Sequence, residues 1–495
     1  MTESAPSRDA YDAMPYPGVA YAFAHPDRLA VLAQLHGLQP APVAGARVLE
    51  LGVGDGGNLL PIAASLPGAE CVGVDRSRRA IQDATRLTQR LELANVTLFQ
   101  AEFQAFLAPE APPLGTFDYV IAHGLLAWIP PAAQAQLFAL IGRVLRPDGV
   151  AVVSYHALPG YHDMAPLRAL MAFHTEPVAD PALRIKQARD IVRWHVDRQT
   201  RLFGPARGTV YAHLLAEIDA LPDAVLLHDL LAPDVHALYF EDALALAARE
   251  GLRWLGNARP NEPRIASLPP SLREMVRGVP SPERQQQYLD FLFHTRFRAT
   301  AFCRASRAPT RAADPATFLA LHAASRVAPR PFDAPGSPWV LAGDDGEIVL
   351  SEAAAEVLSV LAPSTPAAKP VSTWRAEASH LGDTTFIAGL AELHFAGAIE
   401  LTSAPPAVAS SVPERPQTGP LQRAQGEAQR GSATSLWHRE VGLDPAELAL
   451  LARLDGTRTA AEIAEASDDV ALATLQRAGF LLPPDAPSPA RTAGA

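Results

Sequence analysis

Residues 47–58 read Arg47-Val-Leu-Glu-Leu-Gly-Val-Gly-Asp-Gly-Gly-Asn58, and no other stretch constrains the fold as strongly. Arg47-Val-Leu-Glu-Leu51 is short, apolar and suited to a strand. Gly52, Gly54, Gly56 and Gly57 then form a tight turn, and Asn58-Leu-Leu-Pro-Ile-Ala-Ala-Ser65 opens a helix. Strand, glycine turn and helix in this order let backbone approach a nucleotide-like ligand in an α/β sheet, because glycine tolerates positive φ and has no side chain in the way. Asp75 ends the next β-like run, Cys71-Val-Gly-Val-Asp75, at 75 − 54 = 21 residues past Gly54. A carboxylate about 20 residues beyond such a turn stands where one that grips a ribose diol belongs.

Strand and helix patterns alternate from about residue 45, with strands expected at 47–51, 71–75, 96–100, 117–122 and 149–155 and helices near 57–65, 77–92 and 132–145. That order implies a parallel, doubly wound, Rossmann-like α/β sheet. Leu145-Arg-Pro-Asp-Gly149 reads as a turn into the strand Gly149–Tyr155. Residues 161–238 read as a helical insertion, with Leu167, Leu170, Met171 and His174 on one stripe and Ile191, Trp194 and His195 on another; it is expected to serve as a lid or a dimerisation surface. A helix over Phe240–Gly251, with Gly251 in the C-cap role, and a late strand Leu252–Gly256 return the chain to the sheet. The first domain is therefore expected to comprise 1–160 and 239–260.

In the middle or regulatory region, 261–310, Ser281-Pro282-Glu283 starts a helix. Tyr288, Phe291, Leu292, Thr295, Ala299 and Phe302 follow at helical spacing, as a packed stripe would. Residues 311–402 suggest a small α+β domain with a strand pair at Trp339-Val-Leu and Glu347-Ile-Val-Leu-Ser. Residues 403–435, rich in Pro, Ser, Ala and Gln, read as a flexible linker. Residues 436–485 read as a helical or winged-helix-like unit.

Composition narrows the function classes. At 495 residues the chain exceeds one core. Its net charge of 42 − 53 = −11, without long like-charge blocks, argues against a general nucleic-acid or membrane-surface binder. Cys71 and Cys303 sit in apolar-patterned segments and read as buried free thiols. There is no zinc-type Cys/His cluster, no signal-peptide core and no apolar run of membrane-spanning length, so the expected location is the cytoplasm.

Gly52, Gly54 and Gly57 also satisfy a dinucleotide Gly-x-Gly-x-x-Gly, and a ligand-free turn is the bland alternative. Glu50 argues against NAD: a carboxylate two residues before the first glycine suits a ligand with a cationic amine and sulfonium better than a pyrophosphate. With Asp75 and the run Phe117-Asp-Tyr-Val-Ile-Ala-His-Gly-Leu-Leu-Ala-Trp128, the pattern resembles class I S-adenosylmethionine (AdoMet)-dependent methyltransferases. The resemblance is sharper to the bacterial methyltransferases with a methyltransferase regulatory domain. It is carried by Tyr11-Asp-Ala-Met-Pro-Tyr16, His25-Pro26, Ala122-His-Gly124, Trp128-Ile-Pro130, Ser154-Tyr155 through Pro159-Gly160-Tyr161, Leu227-His228-Asp229, Tyr239-Phe240 and Gln287 through Phe297-Arg298. Rickettsial-type protein lysine methyltransferases acting on outer-membrane surface proteins belong to that group. Val53 replaces a cysteine and Ala24 a threonine of the family pattern, and the C-terminal linker is long, which leaves substrate identity open.

The resemblance implies AdoMet as cofactor and lysine N-methylation of a protein, an outer-membrane or surface protein before export, by a homodimer; charge and composition imply no metal, no nucleic acid and no membrane insertion. It implies a cofactor site of Glu50, Gly52, Gly54, Gly56, Asn58, Asp75, Glu102, Phe103 and His123, with Glu50 near the amine, Asp75 on the ribose, Glu102 at the adenine amine and Phe103 along the ring. His123, Trp128, Tyr155 and Tyr16 are the catalytic candidates, His123 as proton acceptor or as a merely structural residue. His25 and Tyr16 belong to a segment expected to cover the cofactor. A metabolite or O-nucleophile as acceptor, and a non-catalytic AdoMet-binding docking protein, remain alternatives.

Overall fold

The computed structural model describes residues 14, 16–110, 114–232, 235–311, 313–327, 340–343, 346–465 and 469–486. Its centre is a seven-stranded sheet of β1 (Arg47–Leu51), β2 (Glu70–Asp75), β3 (Val96–Gln100), β4 (Phe117–Ala122), β5 (Leu145–His156), β6 (Leu252–Asn257) and β7 (Phe297–Arg304), in the order β3-β2-β1-β4-β5-β7-β6. β1 to β5 pair in parallel. Side chains alternate between two cores: Leu49, Leu51, Val120 and Val153 face helices Pro131–Val144 and Phe240–Arg249, while Val48, Cys71, Ile121 and Val152 face helices Pro26–Leu35 and Leu59–Ser65. Coverage on both faces explains the nearly unbroken apolar strands.

Two readings near the sheet need correction. The stretch Leu145–Gly149, expected as a turn, lies inside β5, where Phe117 pairs with Leu145 but Tyr119 with Val150, so the extra residues loop out as a bulge. The stripe from Tyr288 to Phe302 is not one helix. Helix Pro282–Phe293 ends at His294, which is left-handed at φ +53, and β7 follows, antiparallel to both β5 and β6. The sheet is therefore mixed. Tyr288, Phe291 and Leu292 are exposed, while Gln287, Leu289 and Asp290 form the packed face. That face is selected by Arg298 of β7, whose Nε donates to Asp290 Oδ2 at 2.8 Å in a buried pair.

Helices Met164–Thr175, Pro181–Phe203 and Pro205–Ala220, with the single π turn Leu226–Leu230, build the insertion around Leu167, Met171, Ile185, Val192 and Leu214. His174 and Trp194, expected on its packed stripes, are exposed. A third core surrounds Phe318, Trp374 and Phe386, and helix Pro26–Leu35 contributes Val31 and Leu35 to it. The expected strand pair is present as Val340–Gly343 against Gly346–Val349; Trp339 lies outside the described residues.

The stretch 403–435 is ordered rather than a linker. It holds helix Pro420–Ala428 and strand Ser432–Thr434, and its polar side chains are spent on backbone: Thr418 Oγ1 donates to Phe480 O at 2.6 Å and Gln422 Nε2 to Thr434 O at 2.9 Å. Composition alone reads such residues as solvated; here they satisfy a buried interface. Both cysteines are buried free thiols. Among the described residues no helix is long and apolar enough to cross a membrane, and no His/Cys/Asp/Glu group could hold a metal.

Candidate functional site

The turn after β1 hooks onto β2: Gly52 N–H and Val53 N–H both donate to Val74 O, at 2.8 and 3.1 Å. Gly52, Gly54 and Gly56 all have positive φ, at +79, +56 and +84, where a Cβ would be strained. A Cβ on Gly54 would meet nothing within 4 Å, so the space over the turn is open to a ligand. Asp75 Oδ2 accepts Gly54 N–H at 2.9 Å and its Oδ1 accepts Ser77 N–H at 2.8 Å, so this carboxylate shapes the turn as well as facing it.

Glu50 lies beneath the turn, 4 % exposed, and accepts Asn58 Nδ2–H at 3.0 Å through Oε1. Its Oε2 is buried with no partner among the described residues, and burial pushes its pKa up to about 8. A carboxylate desolvated without a cation is expensive. An arriving ammonium would supply that cation, which is the observation that fits this pocket to an amino-acid-bearing ligand.

The segment before helix Pro26–Leu35 straps over the turn. A Cβ on Gly57 would stand within 2.5 Å of the Gly18 backbone, and Tyr21 N–H donates to Asn58 Oδ1 at 3.0 Å. Tyr16 OH donates to Asp229 Oδ2 at 3.2 Å, on the π turn; residues 11–13 and 15 of the same motif lie outside the described residues. His25 caps its helix by accepting Asp27 N–H at 3.2 Å.

His123, at the end of β4, meets the rings of Tyr21 at 3.7 Å, Phe23 at 5.3 Å and Phe297 at 6.1 Å between centroids. Its Nδ1 is 2.7 Å from Ser154 Oγ, which also accepts Gly124 N–H at 3.0 Å. Burial, with Arg259 adding to it, lowers its pKa to about 3, so it is a neutral ring held in position and a poor proton acceptor. Trp128 joins the same aromatic wall through His156, at 5.2 Å, whose ring stacks on Tyr161 at 4.2 Å and meets Phe297 at 6.4 Å.

Tyr155 is corrected. It is 1 % exposed within the main core, its OH 3.2 Å from Thr300 Oγ1, and burial holds its phenol well above the usual range. Strand parity gives the aromatic wall to its neighbour His156 instead. Phe103 likewise belongs to the main core, and Glu102 stands exposed just past β3. Sequence reasoning missed Tyr21, Phe23, Arg259 and Phe297. The aromatic run Tyr21-Ala-Phe23 before His25-Pro26 was the available signal for two of them.

Beside this wall opens a cavity of about 1250 Å³, lined by Tyr21, Phe23 and His123, by Arg259 and Phe297, and by residues of the third and C-terminal units such as His394 and Glu440. It is larger than the roughly 300–1,000 Å³ of a small-molecule pocket.

Comparison with known proteins matches three stretches of the chain. Residues 42–189 match a "Methyltransferase domain", 222–304 a "Predicted methyltransferase regulatory domain", and 414–473 a "PKMT, C-terminal winged helix domain". An uncharacterised protein of Rickettsia prowazekii is 31% identical over 297 residues, 59% of this chain and 52% of that one, so the match spans about half of the relative's length. A second uncharacterised protein from that organism is 27% identical over 50% of this chain and 96% of its own. The structure of PKMT2 from Rickettsia typhi superposes with a TM-score of 0.82 at 21% identity, covering 94% of this chain and 100% of that one. The same protein in complex with AdoHcy superposes equally, at 22% identity. At such identity the likeness is one of fold.

Proposed function

On the premise that this chain carries a methyltransferase domain, a methyltransferase regulatory domain and a PKMT-type winged helix, we propose that it is an AdoMet-dependent methyltransferase whose acceptor is the side-chain amine of lysine in a protein. The observation that carries the acceptor reading is the wall of Tyr21, Phe23, His123 and Phe297, which lines the cavity of about 1250 Å³ and reaches the glycine turn where Tyr21 N–H donates to Asn58. In this reading Glu50 holds the cofactor's amine, Asp75 its ribose and Glu102 its adenine. AdoMet supplies a methyl group on a sulfonium for in-line displacement by an amine.

The residues of the chain prepare that amine. A lysine must be neutral to attack, and the like charge of the Arg259 guanidinium, 5.8 Å from the Phe297 ring, disfavours the ammonium form beside that wall. The amine's lone pair would bond the methyl carbon as the carbon–sulfur bond breaks and leaves a neutral thioether, and the amine's proton would go to solvent, since His123, lowered to about 3, is a poor acceptor. The neutral His123 ring adds no charge beside the sulfonium, and aromatic faces attract sulfonium or methylated ammonium by roughly 0.5–2 kcal/mol. The cavity's size and its lining by three units favour a segment of protein over a metabolite.

The reading extends to a surface or outer-membrane protein substrate, and to a homodimer through the insertion, where Phe173, Trp194, Leu202 and Phe203 are 80, 53, 71 and 63% exposed. The deciding experiment incubates the purified protein with methyl-labelled AdoMet and lysate of its source, then acid-hydrolyses the labelled material. Methyl-lysine is expected. Label confined to small molecules or to another amino acid refutes the acceptor assignment, and no AdoMet binding by calorimetry refutes the enzyme.

A further inference from the structure

A line of hydrogen bonds crosses from the C-terminal unit into the space beneath the glycine turn. His438 lies in the loop Ser435–Arg439 joining the antiparallel strands Ser432–Thr434 and Glu440–Gly442. Its φ is +55, a left-handed conformation that few non-glycine residues adopt, and it is 4 % exposed. Its Nε2 is 2.9 Å from Asn58 Oδ1. The same oxygen accepts Tyr21 N–H at 3.0 Å, and Asn58 Nδ2 donates to Glu50 Oε1 at 3.0 Å. The backbone donor identifies that Asn58 atom as the carbonyl oxygen. His438 must therefore carry its proton on Nε2 and donate, which leaves Nδ1 bare, buried and without a partner among the described residues. Donors thus run one way, from His438 to Asn58 to Glu50.

Further contacts hold the hairpin and the segment before it. Trp437 Nε1 donates to Pro366 O at 2.9 Å, Leu436 N–H to Gly479 O at 3.0 Å, and Arg430 faces Asp55 of the glycine turn at 3.7 Å. The His438 ring also packs on that of His25, 5.0 Å between centroids, but an apolar side chain would fill the space without burying an orphaned nitrogen. A backbone held at positive φ to deliver one N–H across an interface points to a role in the site.

We propose that His438 is a positioning residue of the donor site, holding Glu50 through Asn58 in the attitude that receives the cofactor's amine, so that docking of the C-terminal hairpin and occupancy of the glycine turn are coupled. The inference rests on the reading of this pocket as an AdoMet site. Coupling of this kind is reciprocal: what the hairpin does for the ligand, the ligand does for the hairpin.

The test uses the full chain and S-adenosylhomocysteine or AdoMet as probe. His438→Ala is expected to weaken binding about five- to tenfold and to raise KM for AdoMet by a similar factor, with kcat within about twofold. His438→Gln, whose amide N–H reaches toward the place of Nε2, is expected to restore most of the loss, whereas His438→Leu packs without restoring it. Because substitution can loosen the hairpin, hydrogen exchange on the unaltered protein provides an independent reading: the ligand should slow exchange across 432–442. Unchanged affinity in His438→Ala, no rescue by Gln, or no protection of the hairpin each overturns the proposal. Absence of binding by the unaltered chain overturns the AdoMet reading and the proposal with it. Binding by the unaltered chain with an indifferent His438→Ala sinks the proposal alone.

Discussion

Replacing Glu50 with glutamine keeps its shape and an oxygen for the Asn58 N–H while removing its charge. In the ligand-free protein burial raises the Glu50 pKa from 4.5 to about 8, opposed by the Asn58 hydrogen bond and helped by the Asp75 charge. Between those two values the folded chain binds more protons than the unfolded chain. The stabilising contribution is thus fully present below about 4.5 and is lost as pH rises through about 8. At about 1.4 kcal/mol per pH unit, the whole interval amounts to at most about 5 kcal/mol. Glu50→Gln does not titrate, so relative to the unaltered protein it should gain thermal stability steadily between about pH 5 and pH 8, and little below that. The same variant should bind AdoMet at least about tenfold more weakly, having lost a charged partner for the amine. Binding by the unaltered protein at pH 7, one unit below its pKa, should release close to one proton, read by calorimetry in buffers of different ionisation enthalpy. Parallel melting-temperature curves across pH, or undiminished AdoMet affinity in Glu50→Gln, would refute the reasoning.

Asp75→Ala should weaken AdoMet binding about tenfold or more by calorimetry and also loosen the turn, since Gly54 and Ser77 lose their acceptor; Asp75→Asn should recover part of the turn but less of the affinity. Gly54→Val should abolish binding in the same assay, because it puts a branched side chain at φ +56 into the open space over the turn; normal binding would make that turn merely structural. Asp290→Ala takes the closer of two buried carboxylates from the 2 %-exposed Arg298, leaving Glu262 at 3.7 Å, and should cost at most about 3–5 kcal/mol in denaturant unfolding, with little effect on AdoMet affinity if the protein folds. Removing everything after Thr310 leaves all seven sheet strands but strips Asp27 of bonds from Thr402, Ser403 and Ala404 and exposes Val31 and Leu35. Such a chain should bind AdoMet more weakly than the full protein and melt at a lower temperature.

Local chemistry determined much of this protein. β1 to β5, the glycine turn, Asp75 at the end of β2 and the helical insertion follow from apolar runs, glycines and helical periodicity within a few residues of each other. Where the partner is distant, the same signals mislead. Ala299 and Phe302 fit a helical stripe equally well, yet the slot between β5 and β6 makes them part of an antiparallel strand. Tyr155 looked available because its motif ends a strand, but pleat parity turned it inward and His156 outward. Residues 403–435 have the composition of a linker and the hydrogen bonding of an interface. His438 reaches Asn58 across 380 positions of sequence. No pattern along the chain encodes such a bond, because its donor and acceptor meet only after separate cores have folded and docked.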